Sequence, residues 1–399
     1  MSQPAASSLP LVGVRVVDFS RLLPGPWCTQ TLGDMGADVI KVEQPEIGDY
    51  SRFNPPTYKT VGAYFNNVNR NKRSIVLDLG VEGDRKLAQE LTSRADIIVE
   101  SFRPGVPEKL GIDYTTVART NPGVIYCSVT GFGNDSALGR VPGHDLSVQG
   151  VAGALGKHLK QLEPGKAPPM PTFQAADFTA AAFAAIGVLA AYIRRTATGA
   201  GCYLEIPMYD SIISVSNVAL TGALARLAGY AGKPEMEPWG RNPRYNIYPT
   251  RDGKFVTVCF LEYRGWKRFC DCIGRSDLAP EESWADRHSD HAGRAEIIGD
   301  TIAAFCLAHD RDDLAEKMRE AEIAICAVYE TDEAVSSAHA RERGVIGFSA
   351  HPVDGRIPYL RDPLARAGLT NPERRPSPGL GEHSDEVRRE LQASPRRRR

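Results

Sequence analysis

The sequence predicts an α/β protein: a large, doubly wound, Rossmann-like domain with a smaller α+β domain after it. Three observations carry that prediction. Strand-length β-branched runs alternate with helical spacings through the first half of the chain. A Pro/Gly-rich stretch, Gly232–Pro243, then interrupts the alternation as a linker would. The chain, at 399 residues, is also too long for one ordinary hydrophobic core.

The elements follow in order. Val14–Phe19 is a β-branched run and reads as a buried strand. Gly25 and Pro26 open a helical spacing from Trp27 to Met35, which Gly36 closes as a C-cap residue. Asp38–Val42 is the next strand, so the chain begins with a βαβ unit and its right-handed parallel crossover. Strand Ser74–Leu79, helix Gly83–Arg94, strand Asp96–Glu100 and strand Val124–Val129 continue the pattern. A long Ala-rich helix spans Ala175–Thr196, with Asp177 near its start. Thr198-Gly199-Ala200-Gly201 ends it, strand Cys202–Ile206 follows, and one helix is read from Tyr209 to Leu227.

Past the linker, Gly253–Leu261 reads as strand, and Gly265–Ile273 and Arg294–Leu307 as helices. Ile323–Tyr329 is again strand-like, a helix starts at Thr331, and Gly355–Leu380 is loop-rich. The expected division is residues 1–228 for the first part of the large domain and 229–322 for the small domain. Residues 323–399 are expected to return to the large domain, ending in a disordered basic tail at 395–399.

Composition narrows the function. Hydrophobic residues make up 42% and charged residues 24%, an ordinary globular balance. Lys and Arg total 48 against 49 acidic residues, so no net charge draws the chain to nucleic acid or to a membrane surface. The apolar run Ala180–Tyr192 is short for a membrane span, and Met1–Pro10 lacks the pattern of a secretory signal. The eight cysteines are scattered without a CxxC pair, which points to no metal site and fits a reducing cytoplasm. No P-loop or GxGxxG is present. The turn Ser20–Pro26 lacks the glycine spacing a dinucleotide pyrophosphate needs, so NAD is not expected.

Five segments, in order, resemble one family: Asp18–Arg21 with Pro24-Gly25-Pro26; Gly36–Glu43; Asn69–Ser74; Phe102–Gly105; and Thr130–Gly133. The family is the class III CoA-transferases, which includes formyl-CoA and carnitine CoA-transferases and α-methylacyl-CoA racemase. The resemblance covers nearly the whole chain. It implies an interlocked-ring homodimer, a coenzyme A thioester and a carboxylic acid as substrates, and no bound cofactor.

On residue type alone Asp177 reads as a helix N-cap. The resemblance makes it the nucleophile that attacks a thioester carbonyl. His144, in Pro142-Gly143-His144-Asp145, reads alone as part of a surface loop whose Asp caps a helix. By resemblance it is the acid–base partner of Asp177 in racemases. Glu262 matches a glutamate that supports that histidine, or is an exposed strand-end residue. The formyl-transferase branch has a glycine-rich loop near this place, and Thr257–Trp266 contains only Gly265.

The CoA-binding set implied by resemblance is Arg21, Leu22, Leu77, Phe102, Arg103, Lys109, Leu110 and Met208. Arg21, Arg103, Lys109 and the Arg70/Lys72/Arg73 group are the candidates for the phosphates, against the plainer reading of solvated charges. Phe102 and Leu110 are candidates for adenine or pantetheine contact, against the reading of simple core. Gln44 stands where relatives often carry Arg. Acyl-CoA:carboxylate CoA-transfer is the leading function. α-Methylacyl-CoA racemisation by His144, Asp177 and Glu262 is the alternative. A CoA-thioester-binding protein without chemistry and a nucleotide-dependent oxidoreductase complete the field.

Overall fold

The computed structural model describes residues 9–156, 165–230, 242–280, 291–371 and 374–393. The chain forms two compact units. One combines the chain up to Ser216 with the chain from Arg341 onward; the other is Asn217–Ala340.

In the first unit, β1 (Arg15–Asp18), β2 (Asp38–Glu43), β3 (Lys72–Val76), β4 (Ile97–Glu100), β5 (Ile125–Thr130) and β6 (Cys202–Pro207) form one parallel sheet in the order 3-2-1-4-5-6. Helices α1 (Pro24–Asp34), α2 (Ala63–Asn69), α3 (Glu82–Ser93), α4 (Val106–Leu110), α5 (Tyr114–Thr120), α6 (Asp145–Val151), α7 (Ala175–Thr198) and α8 (Met208–Val215) connect or follow the strands. One face of the sheet packs Val16, Ile97 and Cys127 against Leu32 of α1, Ala184 of α7 and Ile212 of α8. The other packs Val17, Ile40 and Ile98 against Leu91 of α3 and Val117 of α5. Burial on both faces is why apolar residues stand side by side in β1 (Val16-Val17), β4 (Ile97-Ile98-Val99) and β5 (Ile125-Tyr126-Cys127) instead of alternating with polar ones.

Helix α7 lies on the sheet through a stripe of small residues, Ala176, Ala180, Ala184, Val188 and Ala191. At 24 residues it is long and apolar enough to cross a membrane, well beyond the Ala180–Tyr192 run alone. The buried stripe makes it a core helix of this unit, while Ile186 and Ile193 on its outer side are 60% and 70% exposed.

The second unit holds α9 (Asn217–Leu227), β7 (Tyr245–Pro249), β8 (Phe255–Cys259), α10 (Tyr263–Cys272), α11 (Ala295–Leu307), α12 (Arg311–Glu320), β9 (Ile325–Ala327) and α13 (Thr331–Ser336). Its antiparallel sheet runs β7-β8-β9, and Val256, Val258 and Ile325 meet Trp266, Phe269, Ile302 and Leu314 in its core.

Three expectations need correction. The helix read from Tyr209 to Leu227 breaks at Ser216, and the units divide there rather than after residue 228. The strand read at Ile323–Tyr329 does not return to the large sheet. Its Ile325 and Cys326 pair with Val258 and Thr257 of β8, because Ile325 completes that smaller core. The return begins at Arg341 instead. Part of the stretch read as loop is an antiparallel hairpin of β10 (Ile346–His351) and β11 (Gly355–Leu360), and the described chain ends with helix α14 (Ser384–Gln392) beside β3. Residues 232–241 of the linker and the tail 395–399 lie outside the described residues.

Candidate active site

The strand order reverses between β1 and β4, and ligands of such sheets bind outside the carboxyl ends at that point. A pocket opens there, lined by Phe19, Arg21, Gln44, Asp49, Leu77 and Phe102 among others. The Phe19 and Phe102 rings lie 6.1 Å apart. The Phe102 N–H donates to Glu100 Oε2 at 2.7 Å, which fixes the turn after β4. The Arg21 guanidinium lies over the Tyr50 ring at 5.6 Å. Leu22 takes a left-handed backbone, φ 63°, and its N–H donates to Asp49 at 3.2 Å.

Beneath this pocket lies a fully buried polar network. Asp18 accepts from Thr29 at 2.7 Å and from Lys72 at 2.9 Å, and also bonds Ser20. Lys41 pairs with Asp49 at 3.0 Å and donates to the Ser20 carbonyl at 2.8 Å. Arg52 grips both oxygens of Glu43, at 2.8 and 2.6 Å. Burial alone would raise the Asp18 carboxyl, but Lys72, Lys41 and the two hydroxyls hold it well below the usual range. Burial pulls Lys72 down to about 8 despite Asp18. Such a network holds the loops at both walls of the pocket in one arrangement.

It also removes three candidates for phosphate contact. Lys72 is committed to Asp18, Arg70 to Asp34 at 2.7 Å, and Arg73 to Asp38 and Glu390, each at 2.7 Å. All three are buried in structural ion pairs.

Asp177 is the third residue of α7, with Gln174 as N-cap, so it is not itself the cap. The cap comes from another helix. Asp145 Oδ1 accepts the N–H groups of Ala176 at 2.9 Å and Asp177 at 3.2 Å. Two glycines bring Asp145 there: a Cβ on Gly131 would lie 2.7 Å from the Gly143 Cα, and one on Gly143 2.5 Å from the Gly131 Cα. The loop after β5 and the entry to α6 therefore touch backbone to backbone, as only glycine allows.

Aromatic rings surround the residue after Asp177. Phe178 stacks on Phe173 at 5.3 Å and meets Trp27 edge-on at 6.1 Å. Burial, then the charge of Asp145, pushes the Asp177 carboxyl up to about 7. Tyr64 of α2 is held neutral by burial, then by Asp177 and by Asp49. It thus feels both the candidate nucleophile and a residue of the pocket, and nothing local in the sequence marks it.

The other expected residues are placed unevenly. His144 is the exposed N-cap of α6, next to the Asp145 that holds α7, and so stands in the Asp177 neighbourhood. Arg103 is exposed and lines a second hollow across Phe102, with Glu100, Tyr126 and Tyr203. Leu77 is buried and lines the first pocket. Leu110 packs against the core under α3, Lys109 is exposed beside it, and Met208 is buried at the start of α8; these three line neither hollow. Glu262 is the exposed N-cap of α10, in the second unit.

The chain matches CoA-transferase family III over residues 11–384. It is 30% identical over 394 residues to a succinate–glutarate CoA-transferase of Agrobacterium fabrum, covering 96% of each chain. It is 33% identical to a succinyl-CoA:mesaconate CoA-transferase of Haloarcula marismortui, covering 94% of each. Among solved structures, a CaiB/BaiF family protein from Brucella suis superposes with a TM-score of 0.79 at 30% identity, covering 96% of this chain and 99% of that one. A parallel sheet with its switch-point pocket, and a match along nearly the whole sequence, place this chain in CoA-transferase family III, with CoA transfer as its activity.

Proposed function

We propose that the chain moves CoA between an acyl-CoA and a free carboxylate by covalent catalysis at Asp177. The observation that carries this is the placement of Asp177 on the first turn of α7, whose N–H groups Asp145 holds, in surroundings that raise its carboxyl to about 7. The Asp177 oxygen attacks the thioester carbonyl; the C–S bond breaks, CoA thiolate leaves, and an acyl anhydride remains. The thiolate then attacks the Asp177 carboxyl carbon, releasing the first acid and leaving an aspartyl-CoA thioester. The acceptor carboxylate attacks that carbon in turn, the aspartyl C–S bond breaks, and CoA thiolate leaves a second acyl anhydride; the thiolate then attacks the new acyl carbon, forming the product thioester and releasing Asp177 as carboxylate. A partly desolvated, basic carboxylate suits this role.

Dicarboxylic acids are the proposed acyl class, supported by the names of the two relatives above. CoA contacts in this reading come from Arg21, Leu77 and Phe102 at the first pocket and Arg103 at the second hollow, with Leu22 held beside the first by Asp49. The working form is a homodimer in the cytoplasm, interlocked as in the family it resembles. Exposed Ile186 and Ile193 on α7 supply apolar surface for a partner to cover. Sedimentation at nanomolar concentration checks this, and a folded monomer would refute it. Racemisation by His144 and Asp177 is the weaker reading, since the relatives named above are transferases.

The deciding experiment is trapping. Hydroxylamine should inactivate the enzyme only in the presence of acyl-CoA and leave a hydroxamate on the Asp177 peptide. Solvent deuterium entering the acyl α-position without acceptor, and no hydroxamate, would overturn transfer at Asp177.

A further inference from the structure

We propose that Asp145, locked by Gln149, is a positioning residue that clamps the first turn of α7 and keeps a negative charge beside the Asp177 nucleophile. The inference rests on the Asp177 reading and adds to it how the carboxylate is aimed and made basic.

The first turn of a helix has N–H groups without intrahelical partners. In α7 the Gln174 side chain caps none of them. The Ala175 N–H goes to the Phe173 carbonyl at 2.9 Å, and the next two go to one oxygen of Asp145. The other oxygen of Asp145 accepts from Gln149 Nε2 at 2.6 Å. That same amide nitrogen donates to the Phe173 carbonyl at 3.1 Å. Gln149 is 4% exposed and one turn along α6 from Asp145. The α6 pair thus binds the segment entering α7 at three points and leaves the Asp177 side chain out of the capping bonds.

The electrostatic effect follows from the same contacts. An aspartate at the third position would ordinarily gain from the positive end of its helix. Here those N–H groups face a full carboxylate, and Asp177 has a like charge at close range. Burial and Asp145 are the two influences that raise its carboxyl. The ionisable groups on the surrounding elements include His144 and Asp145 on α6, Tyr64 on α2, Tyr209 and Asp210 in the first turn of α8, and Cys28 and Asp34 farther along α1, whose first turn has no acidic group. Of these, Asp145 is the one whose charge raises the Asp177 carboxyl. A more basic oxygen attacks a thioester faster, at the expense of a smaller ionised fraction below neutrality.

The test separates clamp from charge. Asp145→Asn keeps an oxygen to accept both N–H groups and removes the charge; its NH2 then faces Gln149 Nε2, so Gln149→Ala, measured beside it, reads the loss of the Gln149 bonds with the charge kept. The acidic limb of its kcat/KM profile should move to lower pH by about one unit, with kcat above the limb several-fold lower. Asp145→Ala removes both functions and should lower the unfolding midpoint as well as kcat at every pH. Infrared difference titration of parent against Asp177→Asn reads the Asp177 carboxylate directly. Repeating it in the Asp145→Asn background shows whether that titration moves down, whatever the trapping experiment gives. An Asp177 titration and an acidic limb that both coincide with the parent in Asp145→Asn would overturn the proposal. Loss of the hydroxamate alone would overturn the nucleophile and leave the titration result standing.

Discussion

At the scale of single residues, the cost of Asp177 is visible in its ionisation. Folding holds the proton on this carboxyl, because burial and then Asp145 raise it to about 7. Stability from that raised group is complete below the ordinary carboxyl range, near pH 4. It is lost as pH rises through about 7. Asp177→Asn should therefore be more resistant to urea than the parent at about pH 8, by roughly 1–2 kcal/mol after allowing for solvent screening of a part-exposed group. The gap should close near pH 4 while turnover is absent at both. Equal urea midpoints at the higher pH would show that the ionised carboxylate costs the fold nothing. Asp177 was recognisable in the sequence only through its resemblance, since one Asp at a helix start has no distinguishing chemistry. Asp145 sat in the same motif and read as a cap for a helix. It is a cap, but for α7, through a contact that bridges 31 positions. Tyr64 had no signal, because its role depends on two carboxylates brought close only by folding.

At the scale of elements, the sequence showed strands better than their purposes. β1, β2, β4, β5 and β6 fall within about one residue of their expected ends; in all but β6, which is only half-buried, runs buried on both faces carry strong patterns. β3 begins two residues before its expected start, at Lys72, since charged residues there do not look like strand interior. The same charges looked like phosphate ligands. Their burial in ion pairs makes opposite predictions for two basic residues. Lys72→Ala removes the cation that Asp18 bonds directly, leaving it only the more distant charge of Lys41, and should cost about 3–5 kcal/mol in urea unfolding. Exposed Arg103, at the second hollow, should be nearly neutral for stability when changed to Ala, while KM for acyl-CoA rises several-fold. A Lys72→Ala protein with parental stability and a raised KM would return Lys72 to the ligands.

At the scale of the whole molecule, the chain leaves the large sheet after β6, builds a second unit, and comes back to cover the sheet edge at β3. The sequence carries the return but not the edge it covers, because edge and partner lie some three hundred positions apart. It is built from specific bonds. The His383 N–H donates to the Ser74 carbonyl at 2.9 Å, and the Val76 N–H to Ser384 Oγ at 3.2 Å. Val387 and Leu391 of α14 enter the core beside Ile75. Arg73, itself 6% exposed, holds Glu386 at 2.9 Å and Glu390 at 2.7 Å. An uncovered parallel edge presents unpaired backbone groups to other chains. Ending the chain at Gly381 should therefore lower the unfolding midpoint and produce aggregates, as light scattering would show. Glu386→Gln with Glu390→Gln keeps the apolar contacts and removes two of the three carboxylates around Arg73; Asp38 remains. That pair should lose only about 1–3 kcal/mol and stay free of aggregates. If the truncated chain stayed soluble with an unchanged midpoint, α14 would be an accessory to the sheet rather than the cover of its edge. If the double variant aggregated as the truncation does, the ion pairs rather than the buried Val387 and Leu391 would be what holds α14 in place.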